Sequence, residues 1–120
     1  MTKSELEARL INFSNSIIAL ATIMENDFAS QHLSRQIIRS GTSCALNYGE
    51  AQGAPTKKDF IHKIGIVLKE LRETSINLKI IDASSMVKGN DTLKNIIREN
   101  GELIAIFTKT IQTARRNENK

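Results

Sequence analysis

The chain has 120 residues and a mass of 13.4 kDa, which predicts one domain over residues 1–120. Hydrophobic residues make up 40% and charged residues 25%, and no run of about 20 apolar residues predicts a membrane span. The net charge of +4 permits self-association or weak contact with a polyanion, and the single cysteine excludes an intrachain disulfide. Because the amino terminus lacks a signal-peptide pattern, a cytoplasmic protein without membrane contact is expected.

The first predicted helix covers residues 4–25 and is acidic. Ser4 and Glu7 fit a capping box at its start. Its apolar residues recur in steps of three and four, as on one face of a helix, at Leu6, Leu10, Phe13, Ile17, Leu20 and Met24. Ile11 and Ile18 lie off this stripe, one heptad apart.

The second predicted helix covers residues 30–52, with Ser30 as a cap and Gly53 as its end. Its stripe consists of Leu33, Ile37, Gly41, Cys44, Tyr48 and Ala51. Two internal glycines, Gly41 and Gly49, each cost about 1 kcal/mol relative to alanine, which indicates a reason for their presence. One reason is close packing of neighbouring helices, and the other is a surface left bare for a partner.

The third predicted helix covers residues 56–86, with Thr56 and Asp59 as its capping pair and Gly89 beyond its end. Its stripe is Phe60, Ile64, Val67, Leu71, Leu78 and Ile81. The fourth covers residues 91–116, with Asn90 or Asp91 as its cap. Its predicted stripe is Leu93, Ile97, Ile104, Phe107, Ile111 and Ala114.

Four amphipathic helices with short connections predict an all-α protein, an antiparallel up-down-up-down four-helix bundle with short loops. A turn near residue 54 brings positions whose numbers sum to about 109 face to face. Arg39 is therefore expected opposite Glu70, and Arg35 or Gln36 opposite Glu73. Such pairs predict structural ion pairs between helices.

Isoleucines in excess of one core stripe lie on the first and third helices. Burying one isoleucine is worth about 1.5–3 kcal/mol, so a group of them favours contact with a partner surface. We expect a homo-oligomer, and the alternative is isoleucines scattered individually over the surface. The predicted subunit contacts are Ile11, Ile18, Ile66, Ile76 and Ile80.

Catalytic and metal-binding patterns are weak. Asp59 and His62 form a single Asp-x-x-His pair, whereas carboxylate metal sites in bundles use more ligands. Cys44 lies on an apolar stripe and is expected to be a buried small hydrophobic residue. The sequence contains no phosphate-binding Gly-Lys-Ser/Thr loop. A non-enzymatic protein without cofactor or metal is predicted, and the alternative is a bundle metal protein or enzyme using Asp59, His62 and Glu50.

Basic side chains on the second, third and fourth helices suggest the hypothesis that the protein binds nucleic acid. Lysine and arginine contacts to phosphate are independent of base sequence and weaken strongly with salt. Only Tyr48 and four phenylalanines are available for base stacking, so backbone contact is the expected mode. The candidates for contact with RNA or DNA are Arg39, Lys57, Lys58, Lys63, Arg72, Lys79, Arg115 and Arg116.

The middle of the chain, residues 30–85, resembles a bacterial four-helix-bundle family. These are the proteins encoded by intervening sequences within 23S ribosomal RNA genes, which are often labelled ribosomal proteins. The family pattern is L-x-x-Q-x-R-R-A, S-x-x-x-N-x-A-E-G and S/T-x-x-D-F, followed by a long helix with a central glutamate. The matching positions are Leu33, Gln36, Arg39, Ser43, Asn47, Glu50, Thr56, Asp59, Phe60 and Glu73.

The resemblance implies an up-down-up-down bundle that assembles into a ring, typically a homopentamer. A similar protein, the accessory protein of diversity-generating retroelements, binds nucleic acid and a reverse transcriptase through a basic ring. The resemblance therefore implies RNA or DNA as a ligand and the chain itself as a partner. It implies no catalytic residue.

Overall fold

The structure is a computed structural model, and it describes residues 1–87 and 91–118. Four helices run through it: α1 (Lys3–Thr22), α2 (Phe28–Gln52), α3 (Lys57–Ala83) and α4 (Asp91–Glu118). Each helix packs against the next one along the chain, and α4 packs back against α1. Because the connections 23–27, 53–56 and 84–90 are short, consecutive helices are antiparallel. The predicted all-α four-helix bundle is confirmed, with dimensions of 51 × 22 × 21 Å.

The core follows the predicted stripes in the first three helices. The stripe residues of α1 and α2 are all buried, and those of α3 are buried except for the half-buried Phe60. In α4 the predicted stripe is correct at Leu93, Phe107 and Ile111, which are buried, and wrong at Ile97 and Ile104. Ile96 and Leu103 are buried, whereas Ile97 and Ile104 are half-buried. Ile96 is adjacent to Ile97 in the sequence, and Leu103 is adjacent to Ile104. The spacing of apolar residues alone could therefore not decide which member of each adjacent pair faces the core.

Hydrogen bonds at the helix starts correct two of the predicted caps. Thr56 Oγ1 accepts a bond from the backbone N–H of Asp59 at 3.1 Å, as predicted. The cap of α1 is Thr2 rather than Ser4, because Thr2 Oγ1 accepts from the N–H of Glu5 at 3.1 Å. Asp91 is the first residue of α4, and Asn90 and Gly89 lie outside the described residues.

Asp27, rather than Ser30, caps α2. Its carboxylate accepts bonds from the backbone N–H of Ser30 at 2.9 Å and from the Ser30 hydroxyl at 2.8 Å. The backbone bond is the main cause of a lowered pKa of Asp27. Ser30 is therefore the residue that donates to the cap, one turn inside the helix.

Two helices end earlier than predicted. α1 ends at Thr22, and Ile23 is its C-cap. α3 ends at Ala83, since Ser84 is the C-cap and Ser85 adopts a positive φ of 58°. A left-handed residue cannot continue a right-handed helix, which places the turn before residue 86. Gly53 caps the end of α2, as predicted.

Gly41 is the point of close approach between α1 and α2. A Cβ atom at this position would lie 2.8 Å from Ile17 Cγ1, and Ile17 is completely buried. Close packing therefore explains the glycine at position 41. Gly49 is different, because a Cβ there would meet no atom within 4 Å.

Buried polar groups tie neighbouring helices together. Thr74 Oγ1 of α3 lies 2.8 Å from Ser40 Oγ of α2. Asn100 of α4 donates from Nδ2 to the backbone carbonyl of Leu71 at 3.2 Å. Within the described part of the chain, every buried side-chain nitrogen and oxygen atom has a hydrogen-bond partner. These bonds satisfy the polar groups that the core encloses.

Cys44 is buried on α2, and its Sγ lies 3.3 Å from the carbonyl oxygen of Ser40. Burial is the main cause of a pKa raised to about 12. Because the thiolate is the reactive form, we expect no labelling of the native protein by a thiol reagent such as DTNB at mildly alkaline pH. Labelling in denaturant is the positive control. Rapid labelling of the native protein would contradict the burial of this thiol.

Candidate nucleic-acid interface

Arg39 of α2 binds two carboxylates of α3. Its Nη1 donates to Glu70 at 3.1 Å, and its Nη2 pairs with Glu73. Glu73 thus meets Arg39, one turn along α2 from the expected Arg35 or Gln36. The reason is that Glu70 and Glu73, three residues apart, lie on the same face of α3 and one guanidinium reaches both. Arg39 is consequently a structural residue whose charge is already compensated.

Lys63 is the second basic candidate with a carboxylate partner. Its Nζ lies 2.5 Å from Glu50 Oε2. This contact joins α2 to α3 near the connection between them. Arg39 and Lys63 therefore lie between α2 and α3, each paired with a carboxylate of the other helix, apart from the remaining candidates on α3 and α4.

An exposed line of residues runs along α4 and carries positive charge. Its members follow one another in steps of three and four, and all are exposed. Four are basic and the other three are small or neutral. In order they are Lys94, Arg98, Gly101, Ala105, Lys109, Gln112 and Arg116.

A second line on α3 lies beside it. Gly65, Lys69, Arg72, Ile76 and Lys79 follow one another in steps of four and three, and the three basic residues are exposed. Lys69 and Arg72 line a groove between α3 and α4 of about 400 Å³, together with Gly65, Leu68, Thr108, Ile111, Gln112 and Arg115. We call the eight basic residues of this side the cationic face: Lys69, Arg72, Lys79, Lys94, Arg98, Lys109, Arg115 and Arg116.

The glutamates of α3 and α4 that form ion pairs are bound by arginines of other helices, although Glu73 and Glu102 lie one turn from Lys69 and Arg98. Glu70 and Glu73 are held by Arg39 on the side of α2. Glu99 binds Arg9 of α1 through two short contacts, at 2.8 and 2.6 Å, and Glu102 approaches the same guanidinium at 3.4 Å. Asp59, Asp82 and Asp91 lie at helix ends. Among the described side chains, none of the eight basic residues of the cationic face forms an ion pair.

Lys57 and Lys58 are the first two residues of α3, and both are exposed. Because α3 and α4 are antiparallel, the start of α3 and the end of α4 share one end of the bundle. Arg115 and Arg116 lie in the last turns of α4. Positive charge thus accumulates at this end, next to the cationic face.

The predicted subunit-contact isoleucines are mostly exposed. Ile11, Ile18, Ile76 and Ile80 expose 45–56% of their surface. Ile66 is only half-buried, because it lies on the line of α3 that faces α2 together with Lys63 and Glu70. None of the five is enclosed by the core of its own chain.

The sequence-based predictions missed residues of the cationic face and of the exposed apolar surface predicted as the subunit contact. Lys94 and Arg98 belong to the cationic face, and their regular spacing with Lys109 was the available signal. Ile38 and Leu46 of α2 are exposed at 36% and 67%. Ile38 lies on the flank of α2 nearest α1, three residues before Gly41, which makes it a neighbour of the Ile11 and Ile18 side.

The metal-site alternative is not supported by the geometry. Glu50, Asp59 and His62 do line one surface depression together. Within residues 1–87 and 91–118, however, no three His, Cys, Asp or Glu side chains are grouped so that they could hold a metal ion. The Glu50 carboxylate is engaged by Lys63, and Asp59 is bonded to Thr56 at 2.8 Å. The Glu50 carboxylate therefore belongs to an ion pair, and the Asp59 carboxylate belongs to the cap of α3.

None of the helices in the described ranges is both long and apolar enough to cross a membrane. On α3 the exposed isoleucines Ile76 and Ile80 lie among the basic residues Arg72 and Lys79.

Comparisons with known proteins identify the family to which this four-helix bundle belongs. A solved structure from Bacteroides thetaiotaomicron VPI-5482, a protein of unknown function from the S23 ribosomal protein family, is similar with a TM-score of 0.82 and 28% identity. The similarity covers 93% of this chain and 99% of that one. A search of curated proteins gave no match. The model of the family described as 23S rRNA-intervening sequence protein matches residues 3–109. The chain therefore belongs to the 23S rRNA-intervening sequence protein family.

Proposed function

We propose that this protein is a non-enzymatic, cytoplasmic, homo-oligomeric scaffold that binds RNA or DNA through the cationic face. The observation that carries the proposal is the segregation of charge on α3 and α4. Eight basic side chains without an ion-pair partner among the described residues lie along α3 and α4, while Glu70, Glu73, Glu99 and Glu102 are bound by Arg39 of α2 and Arg9 of α1. Uncompensated cations on one surface attract a polyanion and release its condensed counterions on binding.

Self-association is the second part of the proposal. On α1, Glu7 precedes Ile11 by four residues, so a carboxylate lies one turn from this exposed isoleucine. On α3, basic residues flank Ile76 in the same way. The α1 patch of one copy can therefore bind the oppositely charged α3 patch of the next copy. Such head-to-tail contacts close into a ring when the rotation between neighbouring copies allows it. The ring implied by the family resemblance, typically of five copies, agrees with this pairing.

The resemblance to the accessory protein of diversity-generating retroelements supports the nucleic-acid part of the proposal. That protein binds nucleic acid through a basic ring. In a ring built through α1 and α3, Ile76 would lie in the contact and the basic residues beside it would lie at the edge of the contact, next to the charged line of α4. Assembly would then multiply the available positive charge around an axis.

Nucleic-acid binding is tested by titrating a labelled RNA with the protein over a series of salt concentrations. We expect binding at about 50 mM salt and a steep loss of affinity at about 200 mM. The double substitution Arg72→Gln and Arg115→Gln should weaken binding about 10-fold and lower the salt slope by about two. Lys63→Gln removes a lysine that is paired with Glu50 and should leave the affinity nearly unchanged.

Two results would contradict this assignment. One is the absence of RNA and DNA binding at about 50 mM salt, where phosphate contacts are strongest. The other is an equal loss of affinity in Lys63→Gln and in the double substitution. This result would show that nucleic acid does not bind preferentially to the cationic face.

Self-association is tested by light scattering at micromolar concentration. We expect a mass that is a multiple of 13.4 kDa, five times in a pentamer. Ile11→Glu with Ile18→Glu should shift the protein toward the monomer, because two carboxylates replace apolar contacts. Ile23→Glu is the matched control, since Ile23 is similarly exposed at 49% but lies about 140° around α1 from Ile18. A strictly monomeric parent protein would refute the assembly.

A further inference from the structure

We infer that the nucleic acid bound by the cationic face is double-stranded. The inference rests on the proposed function and narrows it to one class of ligand. Three properties of the face lead to it: the length of its basic line, the absence of a stacking surface and the fixed position of its helices.

The basic line on α4 is long enough to follow one turn of a duplex. It runs from Lys94 to Arg116, which at 1.5 Å per residue corresponds to roughly 33 Å. One turn of duplex DNA is about 34–36 Å long. Lys69, Arg72 and Lys79 extend the positive charge sideways across α3, so the face has width as well as length. A surface of this shape can meet phosphates of both strands.

No aromatic side chain of the described residues offers a stacking platform on this face. Phe13, Tyr48 and Phe107 are buried, and Phe60 is half-buried against the core. Phe28 is 90% exposed, but it begins α2, which lies across the core from α4 and is not its neighbour in the bundle. Proteins that bind single strands combine a basic groove with aromatic residues on which the bases stack. Here only the backbone of the ligand can be recognised.

The helices that carry the charge are held in place from both sides. Asn100 bonds α4 to the Leu71 carbonyl of α3, and Glu99 bonds α4 to Arg9 of α1. A duplex presents its phosphates in fixed positions, which suits a rigid surface, whereas a flexible strand must first be ordered. A duplex also carries about one charge per 1.7 Å of axis and releases more counterions per contact, about 0.9 against 0.7 for a single strand.

The experiment compares oligo(A), oligo(U) and their RNA duplex, each of about 21 residues or base pairs, together with a DNA duplex of equal length. Affinities are measured by fluorescence anisotropy with the full-length protein at about 50 mM salt. We expect the RNA duplex to bind at least about 10-fold more tightly than either strand. Arg98→Gln with Lys109→Gln should weaken duplex binding about 10-fold. Arg35→Gln, an exposed α2 arginine outside the cationic face, should change it less than about 2-fold.

The outcomes separate the two proposals. Binding of a single strand as tightly as the duplex would overturn the inference and leave the proposed function in place. Absence of binding to all four ligands would overturn both. Tighter binding of the RNA duplex than of the DNA duplex supports the inference and identifies the preferred backbone, and equal binding supports it for either.

Discussion

Replacement of Phe107 by alanine is expected to lower the free energy of unfolding by about 3–5 kcal/mol, the largest effect of any single truncation considered for this chain. Phe107 is completely buried on α4 and meets the ring of Tyr48 edge to face, with centroids 5.6 Å apart. The substitution removes the buried ring and the aromatic contact and leaves a cavity between α2 and α4. Denaturant unfolding at a fixed protein concentration measures the change.

Phe28→Ala is the matched control for this prediction. The chemical change is identical, but Phe28 is 90% exposed and stacks on the ring of His32, with ring centroids 6.3 Å apart. We expect a change within about 0.5 kcal/mol. Similar losses for both variants would show that Phe107 is not a core residue, or that Phe28 is covered by another copy of the chain.

Two glycine-to-alanine substitutions are expected to change stability in opposite directions. At Gly41 the new methyl group would overlap Ile17 Cγ1, and the completely buried Ile17 has no free space to move into. Overpacking costs about 1–3 kcal/mol, and the better helix propensity of alanine offsets up to about 1 kcal/mol of this. We therefore expect Gly41→Ala to destabilise the protein by about 1–2 kcal/mol.

Gly101→Ala should stabilise the protein by about 0.5–1 kcal/mol. Gly101 lies inside α4, and a Cβ atom there would meet nothing within 4 Å. Alanine therefore gains helix propensity without a clash. Both variants are compared by urea unfolding. If Gly41→Ala were as stabilising as Gly101→Ala, the close approach of α1 to α2 would have no energetic significance.

Much of the fold follows from the spacing of apolar residues, and the exceptions have physical causes. In α4 the neighbours Ile96 and Ile97, like Leu103 and Ile104, make two helix faces almost equally apolar. The choice depends on Asn100, which faces the core because its amide reaches the Leu71 carbonyl of α3. The burial of a polar residue within an apolar stripe can be predicted only when its hydrogen-bond partner on another helix is known.

Only part of the candidate site could be predicted from the sequence. Arg39 and Lys63 look the same in sequence as Arg72 and Lys79, yet the first two are paired with carboxylates on neighbouring helices. Pairing depends on the side of the helix and on the neighbour that it faces, so a count of charges could not separate the two groups. The register of α2 and α3 did bring Arg39 to Glu70. The charged line of α4 could be recognised from its spacing, but its position beside the line of α3 required the structure.

The amide of Asn100 has a consequence for the uniqueness of the bundle. Leucine and isoleucine are similar as packing units, so a slippage of α4 along α3 could replace many of their contacts by similar ones, although it would separate Phe107 from Tyr48. The same slippage would leave a polar side chain enclosed by hydrocarbon and without an acceptor, at a cost of about 1–3 kcal/mol. Like a buried asparagine in a coiled coil, this residue selects one alignment among near-equals. The lines of charge on α3 and α4 owe their fixed relative position to it.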